Sequence, residues 1–518
     1  MTSACETGSA RLTLYGLLIA AAAGIAGARI ASAELLYEPS LHRDKTEPRA
    51  GKRLWPELRP TEMPTFSSND RSRWATVRSL VEEGTFVIGR RAPGESGGTN
   101  QYGDRGIVFE DGYKTVDKVL DPQTSNFYSS KPPLLSVVAA GEYWLLHRLF
   151  GWSIVEDRWL VVGAILFTLN WLPFLVYLWA LSKLIERYGH SEWGRLLVMA
   201  AACFGTMITP FLITFNNHTL ATCSALFALF PALLLWDSWR LKADAETGRH
   251  GEGGNDDANA PTEVVEDADS TSPRPAASAT CPCGPIPLFL ASGFFAGLTA
   301  ALELPAAGFA AALFLLLAYR EPLKTLLFFV PAGLIPVAAF LMTNYMAVGL
   351  WTPIYAKFGT EWYEYEGSHW RQEPGQKKAG IDFLEEPKPL YAFNLLLGHH
   401  GLFSLTPVFF LSLAGLLFGM RRANGTADNR APPARPVPAQ FIILTLFLLV
   451  LIVGFYIYKS NNYGGWSSGP RWLMWLTPLL LLAALPVADK LSQCRRGRSF
   501  GYVCLALSVF SATYPTNP

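Results

Sequence analysis

The sequence predicts an all-α protein that crosses a membrane many times. Of its 518 residues, 50% are hydrophobic and only 16% are charged, which is too apolar for an ordinary soluble protein. Apolar runs long enough to span a bilayer recur from one end of the chain to the other. We therefore expect a bundle of about 11–13 transmembrane helices, with a large polar loop after the first span.

The expected spans follow from these apolar runs. They lie near residues 12–32, 133–150, 159–182, 196–214, 218–237, 286–303, 305–319, 323–345, 399–419, 440–458, 472–490 and 499–514. The first run ends near Ala31-Ser32-Ala33, which resembles a signal-peptide cleavage site. Because the run is long for the apolar part of a signal peptide, we interpret it as a membrane anchor.

Basic residues predict the orientation of the bundle, because cytoplasmic loops carry an excess of Lys and Arg. Such residues recur after every second span, at Lys183, Arg187 and Arg195; Arg240 and Lys242; Arg320 and Lys324; Arg421 and Arg422; and Lys490, Arg495, Arg496 and Arg498. Segments 34–132 and 346–395 are then extracytoplasmic. One step conflicts with this rule, since two full crossings between 133 and 182 would place Lys183 outside. Either one of those runs does not cross fully or the rule is broken there.

A polar, acidic segment divides the chain into two parts. Residues 243–285 are rich in Asp, Glu, Gly, Ser and Pro and predict a disordered cytoplasmic linker. It separates an N-terminal module, 1–242, from a C-terminal transmembrane module, 286–518. The pair Cys281 and Cys283 lacks the second ligand pair of a zinc site. The formal net charge of +1, with scattered basic residues, argues against a nucleic-acid partner.

Polar residues gather near the span ends on the predicted extracytoplasmic side. They are Asp70, Arg71, Arg73, Arg78, Lys131, Asn217, His218, Glu303, His399, His400, Asn461, Asn462 and Arg471. Polar groups at membrane depth are costly and usually functional when several share a face. The alternative for each alone is an interfacial anchor or a helix cap. The Tyr and Trp of segment 461–466 could stack on a sugar or belong to the interfacial aromatic belt.

Two segments in the first loop carry the strongest signals. Asp70 stands at a predicted N-cap, and Trp74, Val77 and Leu80 follow at helical spacing, which indicates an amphipathic helix on the membrane surface. Further on, Lys131-Pro132-Pro133 opens an apolar run. Proline is favoured at the start of a helix. A charged lysine at the end of a membrane span is tolerated if it binds an anion. This segment therefore predicts a phosphate site at a bilayer boundary.

The order of these motifs resembles the GT-C glycosyltransferases, most closely the protein mannosyltransferase and lipid A aminoarabinose transferase branch. The resemblance covers roughly residues 10–240 and extends more loosely through Gly398–Pro407 and Gly469–Trp472. It implies a multi-pass enzyme of the plasma or inner membrane that works on the extracytoplasmic side. Its donor would be a polyprenyl-phosphate sugar. By this resemblance Asp70 takes the place of the catalytic acidic residue and Lys131 that of the lysine near the lipid phosphate.

The chain departs from its resembled relatives in two places. Many of them carry two consecutive acidic residues where this chain has Asp70-Arg71, and an Asp where it has Asn217-His218. These departures bear on how the acceptor is bound and on whether a metal ion takes part. No cofactor is predicted, and the sequence leaves open whether a divalent metal is required.

The predicted reaction is an inverting sugar transfer to a protein, lipid or glycan acceptor. Polyprenyl phosphate is a good leaving group, so one carboxylate base, Asp70, would suffice. Cations would stabilise the departing phosphate. The residues predicted to bind substrate or phosphate are Lys131, Arg73, Arg471, Asn217, His218, Glu303, His399 and His400.

Two alternatives remain: a glycan ligase or polymerase of similar topology, and a transporter or flippase of lipid-linked glycans. A transporter would be expected to carry ionisable residues at mid-membrane or paired broken helices. The charges here gather at one surface, which favours an enzyme.

Overall fold

The computed structural model describes residues 2–32, 63–92, 103–251, 284–371, 383, 385–418, 436–460, 462–465 and 467–514. Several parts of the predictions lie outside these ranges. They are most of the acidic linker with Cys281 and Cys283, residues 33–62 and 93–102 of the first loop, residues 372–382 and 384 of the 346–395 segment, the basic loop with Arg421 and Arg422, and Asn461 with Trp466.

Helices make up most of the described chain, which confirms the all-α prediction. They are α1 Thr2–Ser32, α2 Ser68–Glu82, α3 Leu134–Phe150, α4 Arg158–Leu166, α5 Leu172–Tyr188, α6 Glu192–Phe204, α7 Ile208–Phe211, α8 Asn217–Gly251, α9 Ile286–Leu302, α10 Ala307–Arg320, α11 Pro322–Lys324, α12 Val330–Val348, α13 Lys388–Leu396, α14 Phe409–Phe418, α15 Ala439–Lys459, α16 Thr477–Leu491 and α17 Arg495–Thr513. Turns of π-helix at Phe167–Trp171 and Thr325–Phe329 join α4 to α5 and α11 to α12. A 3₁₀ turn at Arg471–Leu476 leads into α16.

Seven helical runs in the described residues are long and apolar enough to cross a membrane. These are Ser9–Ser32, Arg158–Tyr188, Glu192–Phe211, Asn217–Ala243, Pro322–Val348, Ala439–Lys459 and Arg471–Leu491. Two shorter apolar helices, Ile286–Leu302 and Leu304–Arg320, lie on either side of a break at Glu303. The chain is therefore a polytopic membrane protein. The run predicted at 399–419 is helical only from Phe409, because Gly398, Gly401 and Pro407 belong to tight turns before it.

The contacts of α1, α3 and α5 favour one explanation of the conflict in the predicted topology. Arg11, near the start of α1, pairs with Glu186, near the end of α5, at 2.6 Å, and Trp171 Nε1 donates to Ala23 O at 2.8 Å. The run Arg158–Tyr188 is therefore antiparallel to α1, and its basic end lies beside Arg11. Helix α3 is not among the described helices that are long and apolar enough to cross a membrane, and it packs along α2, which favours the alternative that 133–150 does not cross fully.

Both ends of α3 return to the same region of the molecule. Arg73 Nη1 on α2 donates to Pro132 O at 3.4 Å, just before α3 begins. After α3 ends, Arg158 Nη1 contacts Met63 Sδ at 3.3 Å, a few residues before α2. Midway, Tyr143 Oη donates to Glu82 Oε1 at 3.0 Å. The chain therefore enters and leaves α3 on one side of the bundle.

A small antiparallel sheet lies on this side of the bundle. It contains β1 Gly89–Arg90, β2 Lys118–Leu120 and β3 Asn126–Ser129, in the order β1-β3-β2. Segment 349–371 joins it, since Leu120 N donates to Trp362 O and Trp370 Nε1 donates to Val116 O, both at 3.0 Å. We call residues 103–133 and 349–371 together the cap.

Close backbone contact holds α9 against α12. A Cβ atom on Gly293 would lie 2.1 Å from Phe329 O, and one on Gly297 would lie 2.2 Å from Gly333 O. Side chains larger than hydrogen therefore cannot stand at these two positions without moving a helix. Small residues at such crossings let transmembrane helices approach closely.

Candidate active site

Asp70 is buried beneath the site and does not line its cavity. The predicted N-cap is wrong, because Ser67 caps α2 by accepting the Asp70 amide N–H through its hydroxyl oxygen. The Asp70 carboxylate instead accepts two backbone N–H groups, Phe66 N at 2.7 Å and Phe215 N at 2.9 Å. Burial raises the pKa of Asp70 to about 6, against the opposing effect of these hydrogen bonds. Asp70 therefore connects α2 to the segment that leads into α8.

The helix that Asp70 belongs to is more deeply enclosed than a surface helix. Trp74 and Val77 are fully buried, and the Trp74 ring lies 4.7 Å from the ring of Phe215. The predicted amphipathic helix is thus confirmed, but protein covers its apolar face where lipid was expected.

A cavity of about 1270 Å³ opens between α2, the cap, the start of α8, the Glu303 break, α15 and the segment before α16. Most of the sequence-predicted site residues meet here. Those that line the cavity are Arg73, Lys131, Asn217, His218, Glu303, Asn462 and Arg471. They come from five separate parts of the chain, so the fold brings together residues that are up to about 400 positions apart.

Arg73 lies in the wall between α2 and α8 and is only 2% exposed. Its Nη2 donates to Asn217 Oδ1 at 2.6 Å, and its Nε donates to Asn69 Oδ1 at 3.0 Å. Burial lowers the pKa of Arg73 to about 10, so the side chain stays cationic near neutral pH. Amide oxygens, not carboxylates, hold this cation, which leaves its charge available to an anion in the cavity.

Lys131 pairs with a carboxylate that the sequence analysis missed. Its Nζ lies 2.8 Å from Asp117 Oδ1, and Ser130 Oγ donates to the same oxygen at 3.4 Å. Burial opposes ionisation of Asp117, but the positive charges of Lys131 and Arg471 outweigh it and lower the pKa of Asp117. Asp117 lies between strands in the cap, far from any span end, so its position along the sequence carried no signal.

Glu303 occupies the break between α9 and α10, where the sequence predicted an interruption. Asn217 Nδ2 donates to its Oε1 at 2.5 Å, and His218 Nδ1 pairs with the same oxygen. Among the described residues, the second oxygen, Oε2, has no hydrogen-bond partner. Glu303 is therefore held in place through one oxygen while the other remains available at the cavity wall.

His399 and His400 lie behind the cavity wall and do not line it. His400 Nε2 contacts Gly465 O at 3.1 Å, and the two rings are joined through their Nδ1 atoms at 2.6 Å. The two histidines thus help to hold Asn462–Gly465 in place from behind the cavity.

The cavity also has apolar and aromatic walls. Leu304, Leu451 and Phe455 line it and are 38%, 44% and 46% exposed. They form an apolar, partly exposed part of the cavity between the start of α10 and α15, which we call the apolar opening. Segment 349–371 of the cap adds aromatic side chains, which the sequence analysis did not select: Tyr355, Phe358, Tyr363 and Trp370.

The carboxylates of the cavity are engaged by nitrogen donors. Asp117 contacts Lys131, and Glu303 contacts Asn217 and His218. Within the described ranges no three His, Cys, Asp or Glu side chains form a group suited to a metal ion.

Comparisons with known proteins give a distant structural likeness. No protein-family model and no curated protein matches the sequence. The chain is similar to two crystal structures of the Archaeoglobus fulgidus oligosaccharyltransferase. The apo form is 11% identical, with a TM-score of 0.37, over 87% of this chain and 51% of that one. The form tethered to an acceptor peptide with the NVT sequon is 12% identical, with a TM-score of 0.41, over 97% and 54%. The chain thus spans about half the length of these proteins, and its function has to be argued from the site.

Proposed function

We propose that this chain is a membrane glycosyltransferase of GT-C type, which transfers a sugar from a polyprenyl-phosphate carrier to an acceptor outside the cytoplasm. One observation carries the proposal: a single cavity joins three cationic side chains to the apolar opening between the start of α10 and α15. A substrate with a charged head and a long hydrocarbon tail would fit both parts.

The cationic side chains suit a phosphate. Arg73, Lys131 and Arg471 face two carboxylates, Asp117 and Glu303, which leaves a net charge of one positive unit if all five are ionised. Charge-assisted hydrogen bonds to phosphate are strong, and they strengthen further as negative charge develops on a leaving group. We assign the phosphate of the carrier to this cluster.

The apolar opening suits the tail of the carrier. Leu304, Leu451 and Phe455 stand on membrane-spanning or adjoining apolar helices, so lipid would surround their outer faces. An isoprenoid chain passing between α10 and α15 would stay in hydrocarbon while its phosphate reached the cations. No transfer of the tail into water would be needed.

We assign the role of general base to Glu303. In the proposed reaction its Oε2 takes the proton from the acceptor hydroxyl or amine as that group attacks the anomeric carbon. The bond between this carbon and the phosphate oxygen breaks, and the polyprenyl phosphate leaves with the bonding electrons. The resemblance to GT-C enzymes favours Asp70 for this role. Asp70, however, does not line the cavity, and each of its two carboxylate oxygens already accepts a backbone N–H.

The test is to purify the protein in lipid nanodiscs, identify any co-purifying lipid-linked sugar by mass spectrometry, and measure transfer with that donor. Glu303→Gln keeps the oxygen that Asn217 and His218 contact but removes the proton acceptor. It should lower kcat about 100-fold or more while donor binding is retained, because the loss of one negative charge does not weaken the attraction of the cationic cluster for a phosphate. The exposed Glu156→Gln is the matched control and should retain full activity.

Two results would contradict the proposal at different levels. Wild-type protein that binds no polyprenyl phosphate would exclude the proposed donor. A fully active Glu303→Gln enzyme, together with an inactive but folded Asp70→Asn enzyme, would move the base to Asp70.

A further inference from the structure

We infer that His400 is a positioning residue for the phosphate site, because it holds the loop against which Arg471 packs. This inference rests on the proposed function, in which Arg471 binds the carrier phosphate. The loop comprises Asn462–Gly465 and Ser467–Gly469 and is called the glycine loop below. It lines the cavity through Asn462, Gly464, Gly465, Ser467 and Ser468.

The hydrogen bonds of His400 fix its tautomer. Gly465 O can only accept, so His400 Nε2, at 3.1 Å, must carry the hydrogen. His400 Nδ1 is then an acceptor and receives the hydrogen of His399 Nδ1, at 2.6 Å. Burial and the neighbouring His399 lower the pKa of His400 to about 4, so this neutral arrangement persists near neutral pH. His399 thereby orients His400, and His400 restrains the backbone of the glycine loop.

Ring stacking restrains the same loop through Tyr463. The Tyr463 ring stacks on His400 with centroids 5.0 Å apart and on Tyr391 with centroids 4.7 Å apart. Its hydroxyl donates to Glu386. Tyr391 Oη in turn donates to Asn462 O at 2.9 Å. The carbonyl oxygens of Asn462 and Gly465, which flank Tyr463 and Gly464, are thus hydrogen-bonded by side chains behind the cavity wall.

Gly464 transmits this restraint to Arg471. A Cβ atom on Gly464 would lie 3.0 Å from Arg471 Nε and 3.0 Å from the Trp472 ring, so the arginine packs directly against the loop backbone. Gly464 has φ +85°, a conformation that favours glycine. If the glycine loop shifts when His400 is replaced, Arg471 therefore loses the backbone surface against which it packs.

The experiment measures binding of farnesyl phosphate to the purified full chain in nanodiscs, with kcat and the donor KM as second readouts. His400→Phe keeps the stacked ring but removes both hydrogen bonds. It should weaken binding about tenfold and raise KM more than it lowers kcat. His400→Gln restores an N–H donor and should recover part of the loss. His147→Phe is the matched control, because exposed His147 contacts a backbone carbonyl, Trp152 O, at 2.9 Å outside the cavity.

A double-mutant cycle with Arg471→Ala separates positioning from a general loss of structure. If His400 acts through Arg471, the double variant His400→Phe/Arg471→Ala should bind no more weakly than Arg471→Ala alone. Gly464→Ala gives a second route, since its Cβ would press on Arg471, and it should produce the same loss of binding. Additive losses, or unchanged binding in both His400→Phe and Gly464→Ala, would overturn the inference. No binding by wild-type protein would instead overturn the proposed function.

Discussion

Asp70 and Glu303 are both buried carboxylates, but their hydrogen-bond partners differ and indicate different roles. Asp70 uses both oxygens to accept backbone N–H groups from segments far apart in the chain, whereas Glu303 keeps one oxygen without a partner in the described residues. A carboxylate that joins two backbone segments and does not line the cavity is better suited to holding those segments together than to taking a proton from an acceptor in the cavity. The sequence could place both residues near the membrane surface but carried no information on which oxygens are engaged.

Replacing Asp70 should therefore affect stability as well as activity. Asparagine offers one oxygen, so Asp70→Asn would leave either the Phe66 or the Phe215 N–H facing an amide NH₂. An unsatisfied buried N–H costs about 1–3 kcal/mol. We expect a lower Tm than wild type in detergent. A variant with wild-type Tm but no transfer activity would contradict this structural role and support Asp70 as the base.

The pH dependence of this effect has a defined sign. The pKa of Asp70 rises from an ordinary 3.8 to about 6 on folding, so the folded state holds this proton more tightly than the unfolded state. The stabilisation from this group is fully present below pH 3.8 and is lost as pH rises through about 6. The difference in Tm between wild type and Asp70→Asn should therefore shrink between pH 4 and 7.

At the scale of the elements, glycines decide how closely α9 and α12 pack. Gly297→Ala should destabilise the bundle by about 1–3 kcal/mol, because its Cβ would collide with a backbone oxygen of Gly333 that cannot rotate away. Gly163→Ala on α4 meets nothing within 4 Å and should be neutral or slightly stabilising. Thermal unfolding in one detergent compares the two. Equal Tm values for both variants would show that the α9–α12 contact tolerates a methyl group.

The elements also show what sequence periodicity can and cannot predict. Apolar runs predicted nearly every helix, because a membrane requires long hydrophobic segments whatever their neighbours are. The same runs could not decide whether α3 crosses, since a run of α3's length can equally lie along another helix. Asp117 and the aromatic residues of segment 349–371 were missed for a related reason. Their proximity to Lys131 depends on contacts between the two parts of the cap. Such contacts leave no periodic pattern in the sequence of either part.

At the scale of the molecule, the position of α3 makes the basic residues consistent with a single orientation. The Arg11–Glu186 ion pair places Lys183 and Arg187 at the same end of the bundle as Arg11, and this agrees with the predicted cytoplasmic side if α3 does not cross. The cavity then lies at the opposite end, which agrees with the expected extracytoplasmic side.

Cysteine labelling tests this topology directly. In a cysteine-free background, Gln123→Cys before α3 and Glu156→Cys after it should react with a membrane-impermeant reagent from the same side, because α3 returns to its starting face. Both positions are exposed. Restored Cys494, exposed between α16 and α17, should react only from the other side. Opposite labelling of positions 123 and 156 would show that α3 spans the membrane.

The cap, built from segments more than 200 residues apart, has a consequence for biosynthesis. Chains emerge from the ribosome N-terminus first, at about 5–20 residues per second. At least about ten seconds therefore pass between the synthesis of strand β2 and that of Trp362 and Trp370, which contact it or its neighbour. Arg471 is synthesised later still. During that interval Lys131 and Arg73 lack the third cation, so the cationic cluster is complete only after nearly all of the helices have been synthesised.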